Sequence, residues 1–195
     1  SLEVLESLGN IYFLKGENDK ALKVYQELLE KSEKIRNYRY IVLAKLGISE
    51  VYLKRNLTDE ILTMAEEIKS LSEKNHYPLG IAKAEVIYNR VMLSLGKLEE
   101  MERSLEGLLS FTRENKIEEV LGDIYNLKGL VEYFKGNIEA AIEFYEESIK
   151  YFQATDQFTN STKPINNIAN VFIQNGKYEE AMEYYRKGLE IVEKY

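Results

Sequence analysis

Apolar and polar positions along this chain follow the three-and-four spacing of an α-helix, over and over. Ile138, Ala141, Ile142, Tyr145, Ser148, Ile149 and Phe152 fall on one helical face. Tyr178, Ala181, Met182, Tyr185, Gly188, Leu189 and Val192 repeat that face forty residues later. Charges occupy the opposite sides, and Glu99–Arg103, Glu146–Lys150 and Glu183–Lys187 have the spacing of i,i+4 ion pairs, each worth about 0.3 kcal/mol. The pattern predicts ten helices, over 2–14, 18–35, 39–54, 58–74, 79–95, 98–114, 118–135, 138–154, 163–175 and 178–194. Thr58 suits an N-cap, and Ser161 or Thr162 suits the cap of the ninth helix. Pro164 and Pro78 fall near the starts of the ninth and fifth helices, where a missing N–H costs nothing. No stretch keeps the period-two alternation of a strand.

The helices come in pairs with a fixed period. Gly16, Asn56, Gly96, Gly136 and Gly176 stand forty residues apart without a slip. Gly and Asn tolerate the left-handed backbone of a tight turn, so one such turn is expected inside each pair. Other columns keep step. Gly9, Ser49, Asn89, Gly129 and Ala169 are small or fairly small. Tyr25, Ala65, Leu105, Tyr145 and Tyr185 form a second column, and Ala21, Ile61, Met101, Ala141 and Ala181 a third. Small residues let helices approach closely, and large ones fill the space between.

Composition narrows the function classes. With 45% hydrophobic and 30% charged residues in 195, the chain can bury a core and stay dissolved. A net charge of −7 argues against an electrostatic grip on nucleic acid or an anionic membrane surface. Zero cysteines exclude disulfides and thiolate metal sites, and fit a cytoplasmic protein. His76 is the only histidine, so triads and multi-histidine metal sites are crippled. Gly96-Lys97 lacks the rest of a phosphate-binding loop, and no cofactor is expected. His76 itself reads as an exposed loop residue.

The stretch from Asn167 through Gly176 to Tyr185 resembles a tetratricopeptide repeat. So do Leu8-Gly9-Asn10-Ile11-Tyr12 with Gly16 and Ala21 through Tyr25, and so does Gly129 through Tyr145. The second and third repeats depart from the pattern: Ile61 and Met101 replace the usual alanine, and Ala65 and Leu105 the usual aromatic. The forty-residue period is longer than the usual one of about 34, and resembles tetratricopeptide domains of bacterial and archaeal signalling regulators. The resemblance implies an all-α, right-handed α-solenoid of five stacked helix-turn-helix repeats, about 2–41, 42–81, 82–121, 122–161 and 162–195, forming one domain. It further implies that the first helix of each pair lines a concave surface that grips a protein or peptide. By that likeness the groove residues are Asn10, Glu50, Arg90, Asn126, Leu127, Leu130, Phe134, Asn166 and Asn170. Amides there would pair with a peptide backbone, Arg90 would hold a carboxylate, and Leu127, Leu130 and Phe134 would carry apolar side chains. The plainer reading is local hydrogen bonding for the asparagines and inter-repeat packing for the three apolar residues.

The expected function is therefore a non-catalytic protein- or peptide-binding scaffold, with no nucleic-acid or membrane partner. Two rivals stand beside it. One is a ligand-responsive, peptide-sensing domain of a signalling or transcriptional regulator. The other is self-association, as a homodimer through terminal helices, because Tyr184, Val192 and Tyr195 stand on a last helix with no polar capping helix after it. The chain lacks an initial Met and is expected to be excised from a longer protein.

Overall fold

In the computed structural model, which describes residues 1–194, the chain is all-α. Its helices gather into two compact units, Ser1–Gly96 and Lys97–Tyr195. The first holds α1 (Leu2–Leu14), α2 (Asn18–Lys34), α3 (Tyr38–Lys54), α4 (Thr58–Lys74) and α5 (Pro78–Ser94). The second holds α6 (Leu98–Glu114), α7 (Leu121–Lys135), α8 (Ile138–Ala154), α9 (Thr162–Gln174) and α10 (Tyr178–Lys194), with a short 3-10 turn over Phe158–Ser161. Within each unit, consecutive helices pack as antiparallel neighbours across two- to seven-residue connections.

The turns explain the period. Gly16, Asn56, Gly96, Gly136 and Gly176 all have positive φ, between 56° and 84°, as their residue types require. The connections between pairs use the same geometry: Arg36, His76, Lys116 and Asp156 have φ of 50° to 58°. A left-handed residue thus recurs every twenty residues, and the forty-residue repeat is two such steps. All but Gly96 show the paired backbone bonds of a Schellman helix end. Gly16 N–H donates to Phe13 O at 3.0 Å and Glu17 N–H to Tyr12 O at 2.9 Å; Arg36 to Glu33 at 3.0 Å and Asn37 to Ser32 at 2.9 Å repeat this one turn later in the chain.

Packing follows the small-and-large columns. The Tyr25 ring lies between α1 and α3, against the backbone at Gly9 and Gly47: a Cβ on either glycine would stand 2.5 Å from Tyr25 Cε1. Ala21 and Tyr25 pack with Ile48 and Val51 of α3. Ala141 and Tyr145 repeat that cluster with Ile168 and Val171 of α9. The same four columns therefore build a helix-to-next-pair junction in each unit.

Several sequence expectations need correction. Helix α7 begins at Leu121 rather than 118, because Ile117 and Val120 are buried in a connector that mimics helical spacing. Thr58 is the first residue of α4, not its cap; Leu57 holds that position without a side-chain bond. Ser161 Oγ donates to Phe158 O at 2.6 Å and Thr162 Oγ1 to Thr159 O at 2.7 Å, so neither caps α9 by its hydroxyl. Pro78 does open α5, and Pro164 lies in the first turn of α9. Glu183–Lys187 forms at 2.9 Å, but Lys150 pairs with Glu147 and Arg103 Nε donates to the backbone of Glu99.

Candidate functional site

The expected groove residues divide between the units. In the first, Asn10 Oδ1 accepts from the Tyr25 hydroxyl at 2.8 Å. Burial pushes that phenol up to about 12, and the nearby charges of Glu50 and Glu6 push the same way. Arg90 of α5 donates to the carboxylate of Glu50 of α3. These two expected ligand-binding residues thus satisfy one another, and Arg90 is no isolated cation awaiting a carboxylate. Glu6 of α1 is held above the usual carboxylate range by burial, opposed by the charge of Lys83.

The second unit differs. Helix α7 presents Asn126, Leu130 and Tyr133 at helical spacing, and α9 presents Asn167, Asn170 and Gln174 beside them. Two polar rungs join the helices. Asn167 Nδ2 donates to Asn126 Oδ1 at 2.9 Å, and the Tyr133 hydroxyl donates to Gln174 Oε1. Seven residues of helix separate the rungs on each side, or about 10 Å at 1.5 Å per residue. That is the reach of about three residues of extended chain. A cavity of about 250 Å³ opens here, lined by Leu130, Tyr133, Tyr145, Asn167, Asn170 and Gln174. Ile173, 41% exposed, also lines it, while Tyr145 is almost wholly buried at its floor. Phe134 is 58% exposed and meets Tyr133 edge-on, with ring centroids 5.4 Å apart.

The bonds described for these amides use the oxygen of Asn126, Asn170 and Gln174 as acceptor. Their –NH₂ groups remain as donors, two hydrogens each. A face of amide donors with aliphatic and aromatic neighbours suits carbonyl oxygens spaced along an extended chain.

Not every expected residue belongs to this face. Leu127 is 3% exposed, so it is packing between helices and not groove lining. Asn166 is exposed but stands toward Gly188 of α10, 3.9 Å from where a Cβ there would be. Asn170 lies on the edge between two surroundings: it lines the cavity, and its Oδ1 accepts from the Tyr185 hydroxyl of α10 at 2.8 Å. Tyr184 is engaged inside the unit, packed on Phe172 and donating to Glu146 at 3.3 Å, which removes it from the candidates for a free terminal surface. Val192 is 59% exposed; Tyr195 lies outside the described residues. Tyr133 and Ile173 stand at forty-residue spacing with Phe13, Leu53 and Leu93, an apolar column whose pattern does not single them out. Their exposure comes from lying where the column reaches the open edge of the α7–α9 pair.

Comparison with known proteins completes the picture. Two segments, 4–37 and 120–194, match family models described as tetratricopeptide repeat, together more than half of the chain. The photosystem I assembly protein Ycf3 of Synechococcus sp. (strain CC9605) is 34% identical over 67 residues, which is 34% of this chain and 37% of that protein. The Rap conjugation gene regulator of plasmid pLS20, solved in complex with the Phr* peptide, superposes with a TM-score of 0.82 at 19% identity over 96% of this chain and 52% of that one. A thermophilic tetratricopeptide protein of Thermus thermophilus superposes with a TM-score of 0.68 at 16% identity, covering 97% and 91%. The two structural likenesses are likenesses of fold. The chain spans 14% and 37% of the curated relatives it matches, and about half of the Rap regulator.

Proposed function

The chain belongs to the tetratricopeptide-repeat family, and on that premise we propose that it is a non-catalytic scaffold whose second unit holds a short extended peptide segment along the α7–α9 face. The observation that carries the reading is the cavity between two polar rungs, with unspent amide donors at Asn126, Asn170 and Gln174. Amide donors match backbone carbonyls without selecting one sequence. Leu130, Ile173 and Phe134 favour apolar side chains alongside them. The Rap regulator's solved complex with a peptide makes a peptide the first ligand class to try. The same likeness favours a second reading, a regulatory domain that changes conformation on binding; small-angle scattering with and without peptide separates the two. Among the described residues no helix is long and apolar enough to cross a membrane. A cytoplasmic setting belongs to the same proposal.

The test is selection of peptides from a displayed random library on the immobilised chain, followed by fluorescence anisotropy with a selected peptide. Asn170→Asp keeps the acceptor for Tyr185 but replaces the donor by a carboxylate; Asn126→Asp does the same for Asn167. Each is expected to weaken binding at least tenfold, or about 1.4 kcal/mol. Binding that survives both replacements refutes the α7–α9 assignment.

A further inference from the structure

In the first unit, α2 and α4 both pack on α3. Near the C-terminal ends of α2 and α4 the space between them stays open, as a cavity of about 600 Å³. Ile41 and Lys45 of α3 and Leu71 of α4 are half-buried and form its floor. Glu33 of α2, with Glu66 and Lys74 of α4, is exposed at its rim.

The second unit shows what the same place holds when it is filled. Eighty residues further on, Tyr125 of α7 stands where Lys45 stands on α3, and Tyr151 of α8 stands where Leu71 stands on α4. Those two rings stack, with centroids 5.1 Å apart and planes 4° from parallel. A lysine and a leucine supply no rings, and the corresponding space in the first unit is the cavity. Charge distinguishes it too. Lys45 Nζ lies 2.5 Å from the Glu67 carboxylate, so those two charges match one another. Among the described residues, Glu33, Glu66 and Lys74 have no ion-pair partner. Two carboxylates against one ammonium leave a negative charge at the rim. The carbonyl ends of α2 and α4 add partial negative charge on the same side, and Glu33 stands in the last turn of α2, where a helix disfavours an acid. A cation bound there relieves both.

We propose that this cavity binds an aromatic side chain with a basic neighbour, presented by a segment of a partner protein. The ring takes the place that Tyr125 and Tyr151 fill in the second unit and rests on Ile41 and Leu71. The cation meets Glu33 and Glu66. Aromatic and arginine side chains are the usual anchors of protein interfaces, because they combine large apolar area with a charged or polar tip. The site is separate from the α7–α9 face and does not depend on that reading.

The probe is the blocked dipeptide N-acetyl-tyrosyl-argininamide, titrated over roughly 0.1–20 mM, the range open to so small a ligand. Carbon–proton correlation spectra follow the methyl groups of Ile41 and Leu71, which are expected to move together along one saturation curve. Exchanging the probe's tyrosine for alanine is expected to abolish saturation. Exchanging its arginine for alanine, or combining Glu33→Gln with Glu66→Gln in the chain, is expected to weaken binding about threefold. Lys45→Tyr with Leu71→Tyr restores the second unit's ring pair and is expected to abolish binding as read at Ile41. Melting curves like the parent's verify folding, and the glutamine pair, on exposed positions, carries the test if the tyrosine pair does not fold. Methyl groups that stay in place, binding that survives the tyrosine pair, or affinity indifferent to the probe's ring or to the two carboxylates each overturns the proposal.

Discussion

Replacing Gly47 by alanine is expected to destabilise the chain, although alanine is the better helix former. The helix-propensity gain is about 1 kcal/mol. Against it stands the Tyr25 ring, whose Cε1, Cδ1 and Cζ would lie 2.5, 2.6 and 2.6 Å from the new methyl. The ring cannot retreat, because its other face lies against the backbone at Gly9, where a Cβ would stand 2.5 Å from Cε1, and the side chain is 3% exposed. Overpacking of a core costs about 1–3 kcal/mol, and a ring held by two backbones belongs at the upper end. The net loss is therefore about 2 kcal/mol, or roughly 4–8 °C in melting midpoint for a chain of this length. Gly107 provides the control: it lies within α6, is exposed, and a Cβ there meets nothing within 4 Å. Gly107→Ala should keep the propensity gain and raise the midpoint by about 2–4 °C. Circular dichroism at 222 nm under heat and urea measures both. If Gly47→Ala proves as stable as Gly107→Ala, the reasoning from Tyr25 packing is wrong.

Three further outcomes follow from the same geometry. Lys116→Gly and Asp156→Gly relieve left-handed backbone at φ 55° and 58°, and each should stabilise by about 0.5–1 kcal/mol in urea titrations, whereas Gly136→Ala, at φ 84°, should destabilise by about 1 kcal/mol. Tyr25 has its folded pKa raised to about 12 from 10, so its contribution is fully present below pH 10 and is lost as pH rises through 12. That loss amounts to about 2–3 kcal/mol; urea midpoints taken from pH 8 upward should fall steeply there, and Tyr25→Phe should flatten the fall. Glu6→Gln should raise the melting midpoint at neutral pH. The raised folded pKa of Glu6 means the wild type loses stability as pH climbs through the carboxylate range, and the two proteins should converge in acid.

The fold was legible because its signals are local and recur. Helical spacing placed most helix ends within a residue or two, and the five-membered Gly/Asn column marked true left-handed turns. The other four turns were invisible because Arg36, His76, Lys116 and Asp156 advertise no such backbone; the paired carbonyl bonds of the helix end impose it. Ile117 and Val120 misled for the opposite reason, since burial in a connector can imitate a helical face. The site was less legible. Asn126, Leu130 and Asn170 were named singly, but what makes the face a site is pairing across about forty residues, Asn126 with Asn167 and Tyr133 with Gln174. A column pattern says that two positions are equivalent, not which neighbours bond. Leu127 shows the same limit: helical spacing aligned it with the groove set, and packing closed over it.

The central claim is that amide donors on the α7–α9 face bind a peptide backbone. Its most direct test is a nitrogen–proton correlation spectrum of the side-chain amides, recorded as a selected peptide is titrated in. The account predicts that the –NH₂ signals of Asn126, Asn170 and Gln174 move first and saturate together, with the affinity seen by anisotropy. Saturable binding that leaves those three signals in place would contradict it.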